Sequence, residues 1–212
     1  MSCQLTIGRA LPEDIPGIAA VFTECFAQSV LHHCGRLPKP QAMQDVFQLV
    51  YEAEPQAALV AKTGEGVVAG YCFAPTKLSA LWTKAVFNGH IFKWSWRWLT
   101  GQYGFGLRPV VVIFLKKTAF LRSAFSPAKS ANARILSIAV VKAWRGQGTA
   151  SALMQEAIDY FRSCKAKRIR LEVRPDNKAA IKVYARLGFY GGGYTADSQG
   201  QWLIMFKEME QE

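Results

Sequence analysis

The sequence predicts an α/β (α+β) domain in which a central sheet is flanked by helices, and three stretches predict it. Ile135 to Val141 reads as an apolar strand running toward the turn Arg145-Gly146-Gln147-Gly148-Thr149-Ala150. That turn opens a helix with Leu153, Met154, Ala157, Ile158 and Phe161 at helical spacing. Arg168 to Arg174 alternates strictly, placing Ile169, Leu171 and Val173 on one face and Glu172 on the other. At 212 residues and 50% hydrophobic, the chain can bury one sizeable core, so residues 1–212 are expected to form a single domain.

The remaining elements follow in order. Leu5-Thr6-Ile7-Gly8-Arg9 is a first strand, and Pro12-Glu13-Asp14 opens a helix carrying Ile15, Ile18, Ala19 and Phe22. Gln41 to Ala53 is a second amphipathic helix with Val46, Leu49 and Val50 expected inward. Ala57–Ala61 and Val67–Phe73, joined at Gly64-Glu65-Gly66, make a hairpin whose next partner is the Arg134–Val141 strand. After Arg174, Pro175-Asp176-Asn177 breaks the strand. Asn177 is a good N-cap for a helical stripe of Ala180, Ile181, Tyr184 and Leu187 that ends at Gly188.

The turn at Arg145–Ala150 is the most informative stretch. A glycine-rich turn opening a helix leaves backbone N–H groups unpaired beside the positive end of the helix dipole, and this favours an anion. Two familiar ligands fail on residue identity. A P-loop needs Gly-Lys-Ser/Thr, but Gly148 is followed by Thr149-Ala150. A dinucleotide fingerprint needs Gly or Ala where Ser151 stands. A purely structural strand-to-helix turn would also use these glycines.

Taken together, Arg-x-x-Gly-x-Ala at Arg145–Ala150, Asn-x-x-Ala-x-x-x-Tyr at Asn177–Tyr184, and Gly188-Phe189 resemble the GCN5-related N-acetyltransferase (GNAT) superfamily over about Arg134 to Phe206. The resemblance implies a mixed, mostly antiparallel central sheet and transfer of acetyl from acetyl-CoA to a primary amine. It implies that the backbones of Ile138, Ala139 and Val140 pair with the pantetheine arm. The N–H groups of Arg145, Gly146, Gln147, Gly148, Thr149 and Ala150 would hold the pyrophosphate, assisted by the Arg145 side chain or a hydroxyl of Thr149 or Ser151. Asn177 matches a residue that contacts the cofactor arm, and it is equally a plain helix cap.

Tyr184 matches a tyrosine that protonates the departing thiolate, and the alternative is a core aromatic on the helical stripe. Glu172 is the candidate base, matching a glutamate in a similar Leu-Glu-Val-Arg segment of members that acetylate protein N-termini. Its competing reading is an ion pair with Arg170 and Arg174. Attack is expected to be direct, because no placed Cys or Ser argues for an acyl-enzyme.

Composition bounds the rest. Cys3, Cys25, Cys34, Cys72 and Cys164 are scattered, with no Cys-x-x-Cys, which points to reduced thiols and a cytoplasmic setting. His32-His33-Cys34 lacks an evident fourth ligand, so no metal is expected. Glu13 and Asp14 follow the first strand, unlike a signal peptide, and no apolar run is long enough to span a bilayer.

The segment 78–134 does not fit the compact pattern. It separates the N-terminal strands and helices (residues 1–77) from the acetyl-CoA-binding core and C-terminal strands (residues 135–212). From Gly66 to Gln155 there is no Asp or Glu and there are 12 Lys or Arg, against a whole-chain net charge of +11, so the rest nets −1. Trp82, Trp94, Trp96 and Trp98 fall inside the segment, interleaved with Lys93 and Arg97. Four readings stand for this long basic aromatic insertion. It is a wall for an anionic acceptor such as a nucleotide-linked amino sugar, a peripheral contact with an anionic membrane, a nucleic-acid surface, or a helical subdomain with a solvated charged face.

The nucleic-acid reading is the weakest of the four. Alternation of Phe92, Trp94, Trp96 and Trp98 suits a strand or wrapped segment better than a clean amphipathic helix. Protein N-terminal or lysine acetylation is the competing enzyme reading, and a CoA-binding regulatory module or basic membrane adaptor is the non-enzyme one.

Overall fold

A computed structural model describes residues 5–103, 131–197 and 200–210. Cys3, the side chains of His33, Cys34 and Trp82, and residues 104–130 of the basic segment lie outside the described residues. In chain order the elements are β1 (Thr6–Arg9), α1 (Ile15–Cys25), α2 (Ala27–Cys34), α3 (Pro40–Ala53), β2 (Ala58–Lys62) and β3 (Val68–Phe73). They continue with α4 (Leu78–Phe87), α5 (His90–Leu99), β4 (Ala133–Arg134), β5 (Ser137–Val140) and α6 (Thr149–Ser163). The chain closes with β6 (Arg168–Val173), α7 (Lys178–Arg186), β7 (Tyr190–Asp197) and β8 (Gly200–Glu208).

The expected mixed, mostly antiparallel sheet flanked by helices is present, divided into two four-stranded halves. One has the order β1-β2-β3-β5 and the other β4-β6-β8-β7, and β4·β6 is the parallel pair. The stretch from β4 to β5 belongs to both. Ile135 N–H bonds to Arg170 O at 2.9 Å, and the next residue, Leu136, bonds to Phe73 O at 2.8 Å. Beyond that switch β5 follows β3 while β6 follows β8, and the two strands diverge.

Apolar periodicity explains why each helix lies where it does. α6 buries Leu153, Met154, Ala157, Ile158 and Phe161, the stripe read from sequence, against one face of the sheet together with Leu59, Cys72 and Val140. α1 buries Ile15, Ile18 and Ala19 on the other face, where Phe47 stacks on Phe73 with ring centroids 5.5 Å apart. Ahead of α1, the Asp14 carboxylate accepts from Leu11 N–H at 2.9 Å and from Lys62 Nζ at 3.2 Å, which fixes the entry turn.

α3 corrects one inward assignment. Val46 is 40% exposed, whereas Leu49 is buried. The helix buries two lines: Phe47, with Met43 and Val50, faces the sheet, and Ala42, Asp45 and Leu49 form a second line. A carboxylate in that second line is why apolar counting alone misplaces Val46. The partner of Asp45 is the basic segment. Asp45 Oδ1 and Oδ2 accept from Arg97 Nη1 at 2.7 and 2.6 Å, Oδ2 accepts from Tyr103 OH at 2.6 Å, and Lys93 Nζ lies 3.4 Å away.

The alternating aromatics therefore sit on a helix, α5, and not on a strand. The face that docks is His90, Lys93 and Arg97, spaced for a helix, with His90 Nε2 2.8 Å from Glu52 Oε2. The docking stripe is cationic, so a search for an apolar stripe does not see it.

Burial pushes the Asp45 carboxyl up, but hydrogen bonds from Tyr103 and Arg97 and the charges of Lys93 and Arg97 outweigh it and hold the group below its ordinary value. With a folded value below the unfolded one, this stabilisation is present above the ordinary carboxylate range, about 4, and is lost as pH falls through the folded value. Asp45→Asn is expected to lose about 2 kcal/mol at neutral pH, from hydrogen bonds to charged groups. The loss should shrink at acid pH, below the ordinary carboxylate range, where the unfolded chain's carboxyl protonates and the advantage of the folded group fades. Urea melts of the two proteins at both pH values check this.

Candidate active site

The divergence of β5 and β6 opens a cleft of about 1450 Å³. Its walls are the end of α1 and α2 (Phe22 to His32), the strands (Ile135 to Ile138, Leu171 to Val173), and Asn177, Tyr184 and Trp202. Lys142 and Arg145 line it as well. Of the predicted site residues, Ile138, Arg145, Glu172, Asn177 and Tyr184 line this cleft, whereas Ala139, Val140 and the turn from Gly146 to Ser151 do not.

β5 is an edge strand, and its residues alternate in direction. Val141 N–H bonds to Ala69 O at 3.0 Å, so by the period of two Ala139 turns its backbone groups to Tyr71, its register partner. Ile138 and Val140 turn theirs to the open edge. Val140 O accepts from Arg145 Nε at 2.8 Å, as that direction requires. The strand thus offers open backbone groups at Ile138 and at the Val140 N–H, the Val140 carbonyl being taken by Arg145, while Ala139 is held in the ladder.

At the end of β5 the chain makes a short 3-10 turn and then the glycine turn. Gly146 and Gly148 have φ of +77° and +82°, a region that side chains with a Cβ rarely adopt, and a Cβ on either would meet nothing within 4 Å. The turn is therefore open on its outer side. Arg145 N–H is spent on Lys142 O, and the first helical bond runs from Ala152 N–H to Gly148 O. The N–H groups of Gly146, Gln147, Gly148, Thr149, Ala150 and Ser151 make no bond to a described residue, which leaves a six-donor cradle at a helix start.

Two helpers named from sequence are engaged otherwise. The Thr149 hydroxyl donates to Trp144 O at 3.2 Å, and the Arg145 guanidinium bridges Val140 O and, at 3.4 Å, Cys25 Sγ. Arg145 thus braces the strand end to α1. Asn177 does cap α7, its Oδ1 accepting from Ala180 N–H at 3.1 Å, and it lines the cleft as well.

Tyr184 is buried in the core cluster yet lines the cleft, so the two readings of it coexist. Burial, with a minor push from Cys72, raises its phenol well above the ordinary value, so it stays protonated and able to donate. Among the described residues its hydroxyl has no hydrogen-bond partner.

Glu172 is ion-paired, but not with both neighbours expected. Oε1 accepts from Arg170 Nη2 at 2.5 Å and from Arg134 Nη2 at 2.9 Å, and Oε2 bonds to no described residue. Arg174 is turned elsewhere, stacked 3.9 Å over the Trp202 ring and close to Asp197. The carboxylate is thus oriented by two guanidiniums on one oxygen, and the residue lines the cleft. Arg134 is not evident from sequence, because its approach to Glu172 depends on the parallel β4·β6 pairing.

Cys25 is a second residue that sequence reasoning misses. Its Sγ lies 3.5 Å from Val140 O at the cleft wall. Burial pushes the thiol up, and the Arg145 contact does not offset it, so this cysteine is a weak nucleophile.

The insertion is expected from sequence to bound the acceptor, but none of its described side chains within 78–103 lines the cleft. The described portion packs on α3 instead. An apolar pocket of about 330 Å³ adjoins the cleft. It shares Phe22, Ser29, Leu136 and Ser137 with it and is closed by Val30, Met43, Phe47 and Val50. The Ser137 hydroxyl is already bonded to Tyr71 OH at 2.7 Å.

Chemically, the arrangement suits a long phosphorylated ligand lying along β5, with its anionic end in the cradle and its reactive end near Tyr184 and Glu172. The model of the Acetyltransferase (GNAT) family matches residues 26–189. The chain is similar to N-alpha-acetyltransferase 30 of Schizosaccharomyces pombe, at 46% identity over 55 residues, which are 26% of this chain and 37% of that protein. The chain covers between 29% and 52% of the length of the curated relatives it matches.

Among solved structures it is similar to Ard1 from Thermoplasma volcanium, with TM-score 0.61 and 18% identity over 98% of this chain and 99% of that one. It is likewise similar to yncA from Salmonella typhimurium, solved with its cofactor acetyl-CoA, with TM-score 0.60 and 17% identity over 99% of this chain and 96% of that one. These structural likenesses show a shared fold.

Proposed function

The chain belongs to the acetyltransferase (GNAT) family, and from that premise we propose that it transfers acetyl from acetyl-CoA to the α-amine of a protein or peptide N-terminus. The observation that carries the acetyl-CoA assignment is the continuous pair of unpaired backbone surfaces, the six N–H groups of the cradle and the open edge of β5. A Cβ would enter free space at both cradle glycines, so the residues present fit a pyrophosphate there. Acetyl-CoA supplies an activated acyl group and a thiolate leaving group.

The chain's residues do the rest. Glu172, held on Oε1, has Oε2 to take a proton from the acceptor ammonium, directly or through one water. The freed amine attacks the thioester carbonyl, the carbon–sulfur bond breaks, Tyr184 donates its proton to the sulfur, and the surplus proton on the new amide nitrogen passes through water to restore the Tyr184 phenol. The proton held by Glu172 returns to solvent with the amide formed. Burial raises the Cys25 thiol, which disfavours the thiolate an acyl carrier needs and favours direct attack.

The acceptor class rests on the pocket. A peptide N-terminus presents its first side chain beside the amine, and the apolar pocket next to the cleft suits a large apolar one. An anionic acceptor such as a nucleotide-linked amino sugar would find acids as well as bases there, since Glu24, Glu172 and Asp176 line the cleft with Lys142, Arg145 and Arg174. Acetylation of a panel of peptides, amino sugars and polyamines tests this, alongside calorimetric titration with acetyl-CoA. Peptides should be the preferred acceptors. A nucleotide-linked amino sugar used faster than every peptide would replace the acceptor assignment, and absence of acetyl-CoA binding would remove the activity itself.

A narrower prediction follows for Val50→Phe, which fills the pocket. It should lower kcat/KM for a Met-first peptide about tenfold relative to an Ala-first peptide, the equivalent of about 1.4 kcal/mol. Steady-state assays with the two peptides measure that ratio.

A further inference from the structure

α5 is turned inside out relative to an ordinary surface helix. The face packed on the protein carries the polar anchors His90, Lys93 and Arg97, bonded to Glu52 and Asp45 of α3, with the half-buried Trp94 beside His90. Just past the helix, Tyr103 OH bonds to Asp45, Lys39 N–H to Tyr103 O, and Lys39 Nζ to Gly101 O. The opposite face carries Phe92, Trp96 and Leu99 at i, i+4 and i+7, exposed by 78%, 59% and 72%. Phe87 and Ile91, at the α4–α5 turn, are exposed beside them. Large apolar side chains gathered on one outward face mark an interaction surface, and the polar staples hold this one in place.

Charge selects the occupant. This face lies within the stretch Gly66–Gln155, which has 12 Lys or Arg and no Asp or Glu, in a chain of net charge +11, so its own segment offers an anionic layer positive charge and no repelling acid. Phe and Trp on one face of a short helix, in a strongly basic stretch, suit the boundary between headgroups and acyl chains of an anionic lipid layer. No described helix is long and apolar enough to cross a membrane. α5, ten residues long, is about 15 Å and suits lying in the interface plane.

We propose that the outer face of α5, with Phe87 and Ile91, is a docking surface for an anionic membrane, holding the enzyme peripherally at the bilayer. It stands apart from the acceptor assignment, because none of these residues lines the cleft.

Flotation of the full chain tests it, with vesicles of phosphatidylcholine alone and of phosphatidylcholine with phosphatidylserine. The protein should float with the mixed vesicles, less so at high salt. The triple variant Phe92→Ser, Trp96→Ser, Leu99→Ser should float about tenfold less while melting at the temperature of the parent. Should the triple variant fail to fold, brominated lipid in the mixed vesicles gives a second readout. It should quench the parent's tryptophan fluorescence, and Trp96→Phe should lose most of that quenching. The proposal is overturned by absence of flotation, by equal flotation with both vesicle types, or by quenching unchanged in Trp96→Phe.

Discussion

Replacing Gly148 with valine is expected to weaken acetyl-CoA binding about hundredfold. At φ of +82° a β-branched residue is strained, and relief of that strain turns the peptide groups on either side of it. The cradle is made of such groups, with N–H donors from Gly146 to Ser151 left open by the backbone. Misdirecting two charge-assisted hydrogen bonds costs about 3 kcal/mol, which corresponds to the hundredfold loss. Calorimetry with acetyl-CoA reads it directly, and a circular dichroism melt separates it from unfolding. An affinity equal to the parent's would show that the turn is only a structural bend.

The second large effect lies at the other end of the cleft and should appear in a different constant. Tyr184→Phe is expected to lower kcat about hundredfold, at the lower end of what a positioned proton donor contributes, while acetyl-CoA affinity stays within about twofold. The ring is part of the core and phenylalanine keeps its packing, so the change removes the hydroxyl and little else. Because burial holds the phenol protonated, it is available as a donor throughout the neutral range. Rapid-quench measurement of the acetyl-transfer step gives the rate. An unchanged rate would leave Tyr184 as a core aromatic only.

These two residues sit on elements the sequence displays openly. The strand into the glycine turn, the α6 stripe and the alternation of β6 are periodic patterns with apolar faces, and such patterns survive reading one residue at a time. Asn177 as a cap is equally local. What stays hidden depends on contacts between distant polar residues. The pairing of Arg134 with Glu172 comes from a two-residue parallel strand. The buried Asp45, and with it the helical state of the tryptophan-rich segment, depends on Arg97, Lys93 and Tyr103 arriving from far along the chain.

Hydrophobic periodicity carries no information about a helix that docks through charges, so it reads α5 as extended and Val46 as inward. The apolar pocket beside the cleft is illegible for a similar reason. Its walls come from α1, α2, α3 and two strands, none of which signals a cavity alone.

The switch of backbone partners between Ile135 and Leu136 has a thermodynamic consequence. Because the chain changes sheets within one peptide unit, the molecule carries a gap where one more strand would fit. A bound molecule that pairs with Ile138 and the Val140 N–H would act as that strand, and the two half-sheets would then share a link besides the β4–β5 stretch. Binding and folding stability become one linked quantity, worth about 2.7 kcal/mol when the ligand stands at a hundred times its dissociation constant. The empty protein is in this sense an unfinished sheet, and on the proposed function acetyl-CoA would complete the architecture on binding and leave it open on departure.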